Sequence, residues 1–170
     1  MNKTEHLLTV DALLFKRGDS VMKLHVDLKE RGYDIVLQRG VLKKLASEIN
    51  VERNVLLVSD SKVPKQWIDL IASHCPHCIV KIVASGEESK SFAVWEELLA
   101  CMLEHHFLRS DLVIALGGGV VGDLAGFAAS CYMRGIDFVN IPTTTLSQID
   151  SSIGGKTAIN FAGIKNIVGS

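Results

Sequence analysis

An apolar run at residues 112–116 (LVIAL) stops on three glycines, Gly117, Gly118 and Gly119, and gives way to a small-residue, helix-like segment from Val120. The uninterrupted run suits a strand buried on both faces. A strand that breaks on glycines and opens a helix makes a phosphate cradle. Glycine admits a ligand close to the backbone, and the helix's free N–H groups and positive dipole end face the anion. Gly117, Gly119 and Gly122 also satisfy G-x-G-x-x-G. A tight strand-to-helix turn without a ligand is the plain alternative. The usual dinucleotide fingerprint adds an acidic residue about 20 positions later, at the end of the next strand. Asp137 comes too early, at that strand's start.

Similar apolar runs recur along the chain. Residues 21–28 alternate as a half-buried strand should, and Arg31-Gly32 reads as a turn into a second strand at 33–37. Val41, Leu42, Leu45 and Ile49 have helical spacing. Strands are predicted at 54–59, 79–83 and 138–141, and a helix at 64–73 with Pro64 in its first turn. Residues 91–107 form the clearest amphipathic helix, with Val94, Trp95, Leu98, Leu99, Met102 and Leu103 on one face. Strands alternating with helices predict an α/β fold, a Rossmann-like and mainly parallel sheet flanked by helices. Ligands bind such sheets beyond the carboxyl ends of the strands. Loops 60–62, 86–90, 117–119 and 142–145 begin at those ends, so one crevice is expected to gather all of them.

The 170 residues suffice for one domain with a real core, and 48% of them are hydrophobic. Eighteen basic against 19 acidic residues give a net charge of −1, which offers no footprint for nucleic acid or an anionic membrane. No apolar run reaches the ~18–20 residues of a membrane helix. The N-terminal segment, broken by Asp11, is a poor signal peptide, and four cysteines beside a good core suit a reducing cytoplasm.

Other clusters have a chemical and a plain reading. Residues 142–156 (PTTTLSQIDSSIGGK) bring hydroxyls, Asp150 and Lys156 beside a strand end, a set suited to phosphate and sugar hydroxyls. Helix capping and a Gly-Gly turn would explain the hydroxyls but not Asp150 or Lys156. In residues 86–91 (GEESKS), Glu87 and Lys90 can reach a ligand, whereas Ser85 or Ser89 can cap the long helix. The CPHC at 75–78 lacks further ligands at zinc spacing and ends a helix rather than beginning one, so a small apolar connection is expected. His105-His106 suits a helix C-terminus.

The stretch GGGVVGDLAGFAASCYMRGIDFVNIPTTTLSQIDSSIGGKTAIN, followed by GIKN, resembles the 3-dehydroquinate synthases of the shikimate pathway. The resemblance runs from about Met22 to the last residue and is densest from Gly117 to Asn166. It implies an NAD- and metal-dependent lyase that converts the seven-carbon phosphate DAHP into 3-dehydroquinate and inorganic phosphate. NAD oxidises a substrate hydroxyl, phosphate is eliminated, the hydride returns, and an aldol closure makes the ring. By the same resemblance Asp60 holds the adenosine ribose. Lys62 stands where some relatives have asparagine. Glu87, Lys90, Gly118, Gly119, Val120, Asp123, Thr143, Thr144, Leu146, Ser151 and Lys165 contact the cofactor. Asp150, Lys156 and Asn166 are catalytic or substrate contacts, and Arg134 binds phosphate across a dimer interface.

The relatives continue into a helical second domain that carries the Zn or Co ligands, a glutamate and two histidines. No such trio is identifiable here, so this chain is expected to be the cofactor half at 22–170, lacking that domain and inactive alone, from an enzyme that is a homodimer at full length. Residues 1–21 do not match and are expected to be an extension. Two alternatives remain: another sugar phosphate cyclase (2-deoxy-scyllo-inosose or epi-valiolone synthase), or a non-catalytic nucleotide-binding module.

Overall fold

The computed structural model describes residues 22–29 and 32–170. The expected extension at 1–21 and Arg31 of the expected turn lie outside the described residues. Strands β1 (Met22–Val26) and β2 (Tyr33–Leu37) pair antiparallel as a separate ribbon. The expected half-burial of β1 does not occur: Met22 and Leu24 are 42% and 47% exposed. β2 meets the main core through Val36, whereas β1 reaches only the small Tyr33–Ile35 cluster through Val26 and is left as the outer strand of a two-stranded ribbon. The helical stretch expected from Val41 splits into a 3-10 turn (Val41–Lys44) and the short α1 (Leu45–Glu48). Val41, Leu45 and Ile49 are buried all the same.

A repeating unit follows. β3 (Asn54–Asp60), α2 (Lys65–His74), β4 (His77–Val83), α3 (Phe92–Glu104), β5 (Leu112–Gly117), α4 (Gly119–Cys131) and β6 (Asp137–Pro142) alternate along the chain. The strands form one sheet in the order β4-β3-β5-β6, each parallel to its neighbour. Every residue of β5 is buried, as its uninterrupted apolar run requires. Successive side chains point to opposite faces. Leu56, Val58, Val113 and Ala115 pack with α3 and α4, whereas Val55, Leu57, Ile114 and Leu116 pack with α1 and α2.

The chain leaves β3 for the edge strand β4, then returns to β5 on β3's other side. Strand order therefore reverses between β3 and β5, the position where open α/β sheets bind ligands. The opposite edge of the sheet is pinned. Arg53 Nη1 bonds Asp137 Oδ2 at 2.5 Å, and the Asp111 carboxylate accepts the N–H groups of Asn54 (3.1 Å) and Leu108 (2.6 Å). Asp137, the acidic residue that comes too early for a ribose contact, is thus spoken for by Arg53.

Two expectations about α3 are corrected. Neither Ser85 nor Ser89 caps it. Ser91 does, its Oγ accepting from Val94 N at 3.4 Å, while the Ser89 hydroxyl donates to the Ala84 carbonyl at 2.6 Å. A 3-10 turn (Glu87–Ser89) stands between β4 and the helix and moves its start. Leu103, assigned to the apolar face, is 69% exposed; Leu98, Cys101 and Met102 carry the burial. After β6 comes one π-helical turn (Ser147–Ser151), then an antiparallel hairpin, β7 (Ala158–Phe161) and β8 (Ile164–Gly169). The sequence did not announce the hairpin, and fully buried Ile159 seats it in the α3/α4 core.

Candidate functional site

The glycine loop joins the carboxyl end of β5 to the first turn of α4. Gly118 is the N-cap residue and has extended backbone (φ −78°, ψ −173°), with no side chain bonded to the helix's first N–H groups. Those groups find no carbonyl within the helix. Gly118, Gly119 and Val120 are only half-buried, so an anion can approach them. None of Gly117, Gly118, Gly119 or Gly122 has a positive φ. Space is what glycine provides here. A Cβ on Gly119 would lie 2.9 Å from Ser151 Oγ, and one on Gly117 would lie 2.6 Å from Val121 Cγ2. Thr143 N donates to the Gly117 carbonyl at 2.8 Å, tying the loop to the end of β6.

On the α4 side a cleft of about 560 Å³ is lined by Asp123, Asp150, Ser151, Lys156, Thr157 and Asn166, among others. Asp150 and Lys156 are exposed at it, whereas Asp123 is half-buried. Behind Asp123 lies Lys90, 4% exposed, whose ammonium donates to both Asp123 Oδ2 and Asn166 Oδ1. Burial holds the Asp123 carboxyl above its ordinary range; Lys90 opposes that rise and the nearby Glu87 charge adds to it. Glu87 Oε1 accepts from Asn160 Nδ2 at 2.9 Å, and Asn160 Oδ1 accepts from Asn166 N at 2.9 Å. The cleft can therefore offer an ammonium, a carboxylate and neutral donors to a ligand rich in phosphate and hydroxyl groups.

A second cavity of about 430 Å³ is lined by residues including Arg39, Trp67, Leu116, Pro142, Thr143 and Gln148. Leu116 and Asp123 flank the glycine loop in sequence and line different cavities. The loop thus has an apolar recess before it and a polar cleft after it.

Of the residues expected at the site, the polar cleft gathers Asp123, Asp150, Ser151, Lys156 and Asn166, with Lys90 and Glu87 joined through hydrogen bonds. Thr143 lines the apolar recess instead. Asp60 ends β3 beside the loop, since its neighbour Ser59 pairs with Leu116; its carboxylate accepts Lys62 N at 2.7 Å, and Lys62 is exposed. Thr144 and Ser147 share a hydroxyl bond of 2.8 Å, and Ser147 N donates to Thr144 Oγ1 at 3.2 Å. The plain capping role holds for that threonine. Leu146, 73% exposed, and Lys165, exposed on β8, line neither cavity. Arg134 is exposed in a 3-10 turn (Tyr132–Arg134) beyond the far end of α4, about 20 Å along the helix from the loop.

Asn160 escaped the sequence reading because it sits in an unannounced strand. Ser152, one of the hydroxyls of residues 142–156, is 2% exposed, with no partner for its hydroxyl among the described residues. The CPHC segment follows α2, and its His77 and Cys78 open β4. Both thiols are free; the hydrogen bond between them and burial push Cys75 up, and the same hydrogen bond holds Cys78 down while burial opposes it. His105 caps α3, its Nδ1 2.9 Å from the Cys101 carbonyl. Among the described residues no group of three or more His, Cys, Asp or Glu side chains could hold a metal ion, and no helix is long and apolar enough to cross a membrane.

Residues 80–170 match the family model for the 3-dehydroquinate synthase N-terminal region. A 3-dehydroquinate synthase of Alkaliphilus metalliredigens is 45% identical over 150 residues, covering 87% of this chain and 42% of the relative. That of Nitrobacter winogradskyi is 47% identical over 166 residues, covering 91% of this chain and 42% of the relative. The chain thus spans about four-tenths of the length of these curated relatives. Among solved structures, a 2-deoxy-scyllo-inosose synthase complexed with carbaglucose-6-phosphate, NAD+ and Co2+ superposes with a TM-score of 0.81 at 28% identity, covering 88% of this chain and 43% of that one. The 2-epi-5-epi-valiolone synthase of Streptomyces hygroscopicus subsp. jinggangensis, with NAD+ and Zn2+ bound, gives 0.74 at 34% identity, covering 85% and 42%.

Proposed function

The chain belongs to the 3-dehydroquinate synthase family, and we propose that residues 22–170 are the NAD-holding unit of such an enzyme, working on DAHP in the cytoplasm. The observation that carries this reading is the convergence of Asp123, Asp150, Ser151, Lys156 and Asn166 on one cleft beside a glycine loop with accessible helix N–H groups. The donor set and the room left by Gly119 suit a pyrophosphate. Gly118, Gly119 and Val120 would hold it. Asp60, with Lys62, would take the adenosine ribose, with Thr143, Thr144 and Leu146 nearby. Glu87, Lys90, Asp123, Ser151 and Lys165 would complete the cofactor contacts.

When bound, NAD supplies a reversible hydride acceptor for a secondary alcohol. The chain's own residues position the substrate for that exchange. Asp150, exposed at the cleft, accepts hydrogen bonds from substrate hydroxyls and can hold a proton there. The Lys156 ammonium draws the phosphate group and stabilises the charge that grows on the leaving oxygens. Asn166, held by Lys90, presents its amide to the same cleft. Arg134, at the far end of α4, is suited to the phosphate of a second subunit's site in a homodimer. The described residues offer a divalent metal no ligand set.

Phosphate release tests the substrate. With NAD and Zn2+ or Co2+ present, the full-length enzyme that carries this unit is expected to release inorganic phosphate from DAHP and none from glucose 6-phosphate. The close superposition on a 2-deoxy-scyllo-inosose synthase favours a second reading, a cyclase of that kind, and the reverse preference would establish it. NAD binding with release from neither sugar phosphate would leave a nucleotide-binding module.

A further inference from the structure

We infer that Asn160 is a positioning residue for this site, fixing Glu87, Lys90 and Asn166 relative to one another; the inference rests on the NAD-holding reading above. Asn160 lies on β7, half-buried. Its main-chain N donates to the Lys90 carbonyl at 2.8 Å. Its Nδ2 donates to Glu87 Oε1 and its Oδ1 accepts from Asn166 N, each at 2.9 Å. Lys90 closes the circuit by donating to Asn166 Oδ1. A carboxylate can only accept and a backbone N–H can only donate, so a single orientation of the Asn160 amide satisfies both.

The circuit does more than hold a hairpin together. The β7–β8 ladder is irregular between Ile159 and Phe161, and Asn166 has a left-handed backbone, φ 55°. Asparagine tolerates that conformation better than most residues. At the irregularity the Asn160 side chain supplies the acceptor for Asn166 N, and so sets the direction in which Asn166 points its amide. One side chain thereby couples the loop after β4, which carries Glu87 and Lys90, to the hairpin, which carries Asn166. Glu87, Lys90 and Asp123 are the charged groups around this circuit.

Asn160→Asp tests the coupling. It keeps the acceptor for Asn166 N but sets a second carboxylate against Glu87. NAD affinity, measured by calorimetry, is expected to fall about tenfold at pH 8, the size of one lost charge-assisted hydrogen bond. It is expected to recover near pH 5, relative to the original chain at the same pH, as one carboxyl of the pair regains a proton and donates. Adding Glu87→Gln restores a donor from the other side and should bring back part of the affinity at pH 8. If the original chain binds no NAD, the NAD-holding reading itself fails. If it binds NAD and Asn160→Asp binds equally well at both pH values, Asn160 positions nothing. A loss that neither acid nor Glu87→Gln relieves, or a variant unfolded at both pH values by circular dichroism, makes Asn160 a plain structural strut and overturns the inference.

Discussion

Lys90 carries a charge in a place where water hardly reaches it, and Asp123 and Asn166 are its partners. A buried ammonium without its carboxylate is costly, whereas an apolar pair of similar volume is often tolerated. Asp123→Ala is therefore expected to lose about 3–5 kcal/mol in urea unfolding, and Lys90→Met with Asp123→Leu far less. Acidity gives a second handle. Burial raises the Asp123 pKa, so the folded chain keeps this proton at pH values where the unfolded chain has released it. Its contribution is then fully present below the ordinary carboxylate range and is lost as pH rises to the raised value. Asp123→Asn should flatten the stability curve in that window. The spacing of Glu87 and Lys90 was legible in the sequence. Their partners were not, because Asp123 lies 33 residues beyond Lys90 and meets it only once α4 lies across the loop after β4.

The glycines of α4 divide into two kinds. Gly119 faces Ser151 at the cleft, whereas a Cβ on Gly122 would lie 3.0 Å from Asn140 Nδ2 in the buried layer between helix and sheet. Gly119→Val should weaken NAD binding far more than it lowers the melting temperature, because the half-buried Ser151 hydroxyl can turn aside from the new side chain. Gly122→Ala should instead cost about 1–3 kcal/mol of stability, as overpacked interiors do, with binding in the folded fraction kept. The apolar recess offers an optical check: Trp67 lines it, while Trp95 packs in the α3/α4 core. NAD is expected to quench tryptophan fluorescence, and Trp67→Phe to remove most of the quenching. The strands β3, β5 and β6 and helices α2 to α4 could be read from apolar runs and spacing, since burial on both faces leaves a strong pattern. The hairpin could not. Its residues are mostly exposed, and a single buried isoleucine, Ile159, leaves no periodicity to find.

Seen whole, the molecule places its polar cleft and several of its exposed apolar side chains close together in sequence. Leu146 and Ile149 are 73% and 68% exposed around the π-helical turn, and Phe161, Ile164 and Ile167 are 55–57% exposed on the hairpin. Exposed apolar patches promote association. Sedimentation velocity should show the chain self-associating as concentration rises, and Ile149→Glu with Ile164→Glu should suppress this without loss of fold. The parallel sheet followed from strand–helix alternation alone. The single crevice expected to gather loops 60–62, 86–90, 117–119 and 142–145 did not, because Thr143 lines an apolar recess and Asp123 and Asp150 a separate polar cleft. Which residues would line that cleft followed only in part. Asp150 and Lys156 meet there because the π-helical turn folds residues 147–151 back against Gly119, a contact that no local pattern encodes.

The central claim is that the loop of Gly117, Gly118 and Gly119 holds a dinucleotide. Equilibrium dialysis of labelled NAD against the 170-residue chain tests it most directly. One saturable site per chain is expected, lost in Gly119→Val while the circular dichroism spectrum stays the same. No saturable binding to the original chain, or equal binding to a folded Gly119→Val, would contradict it.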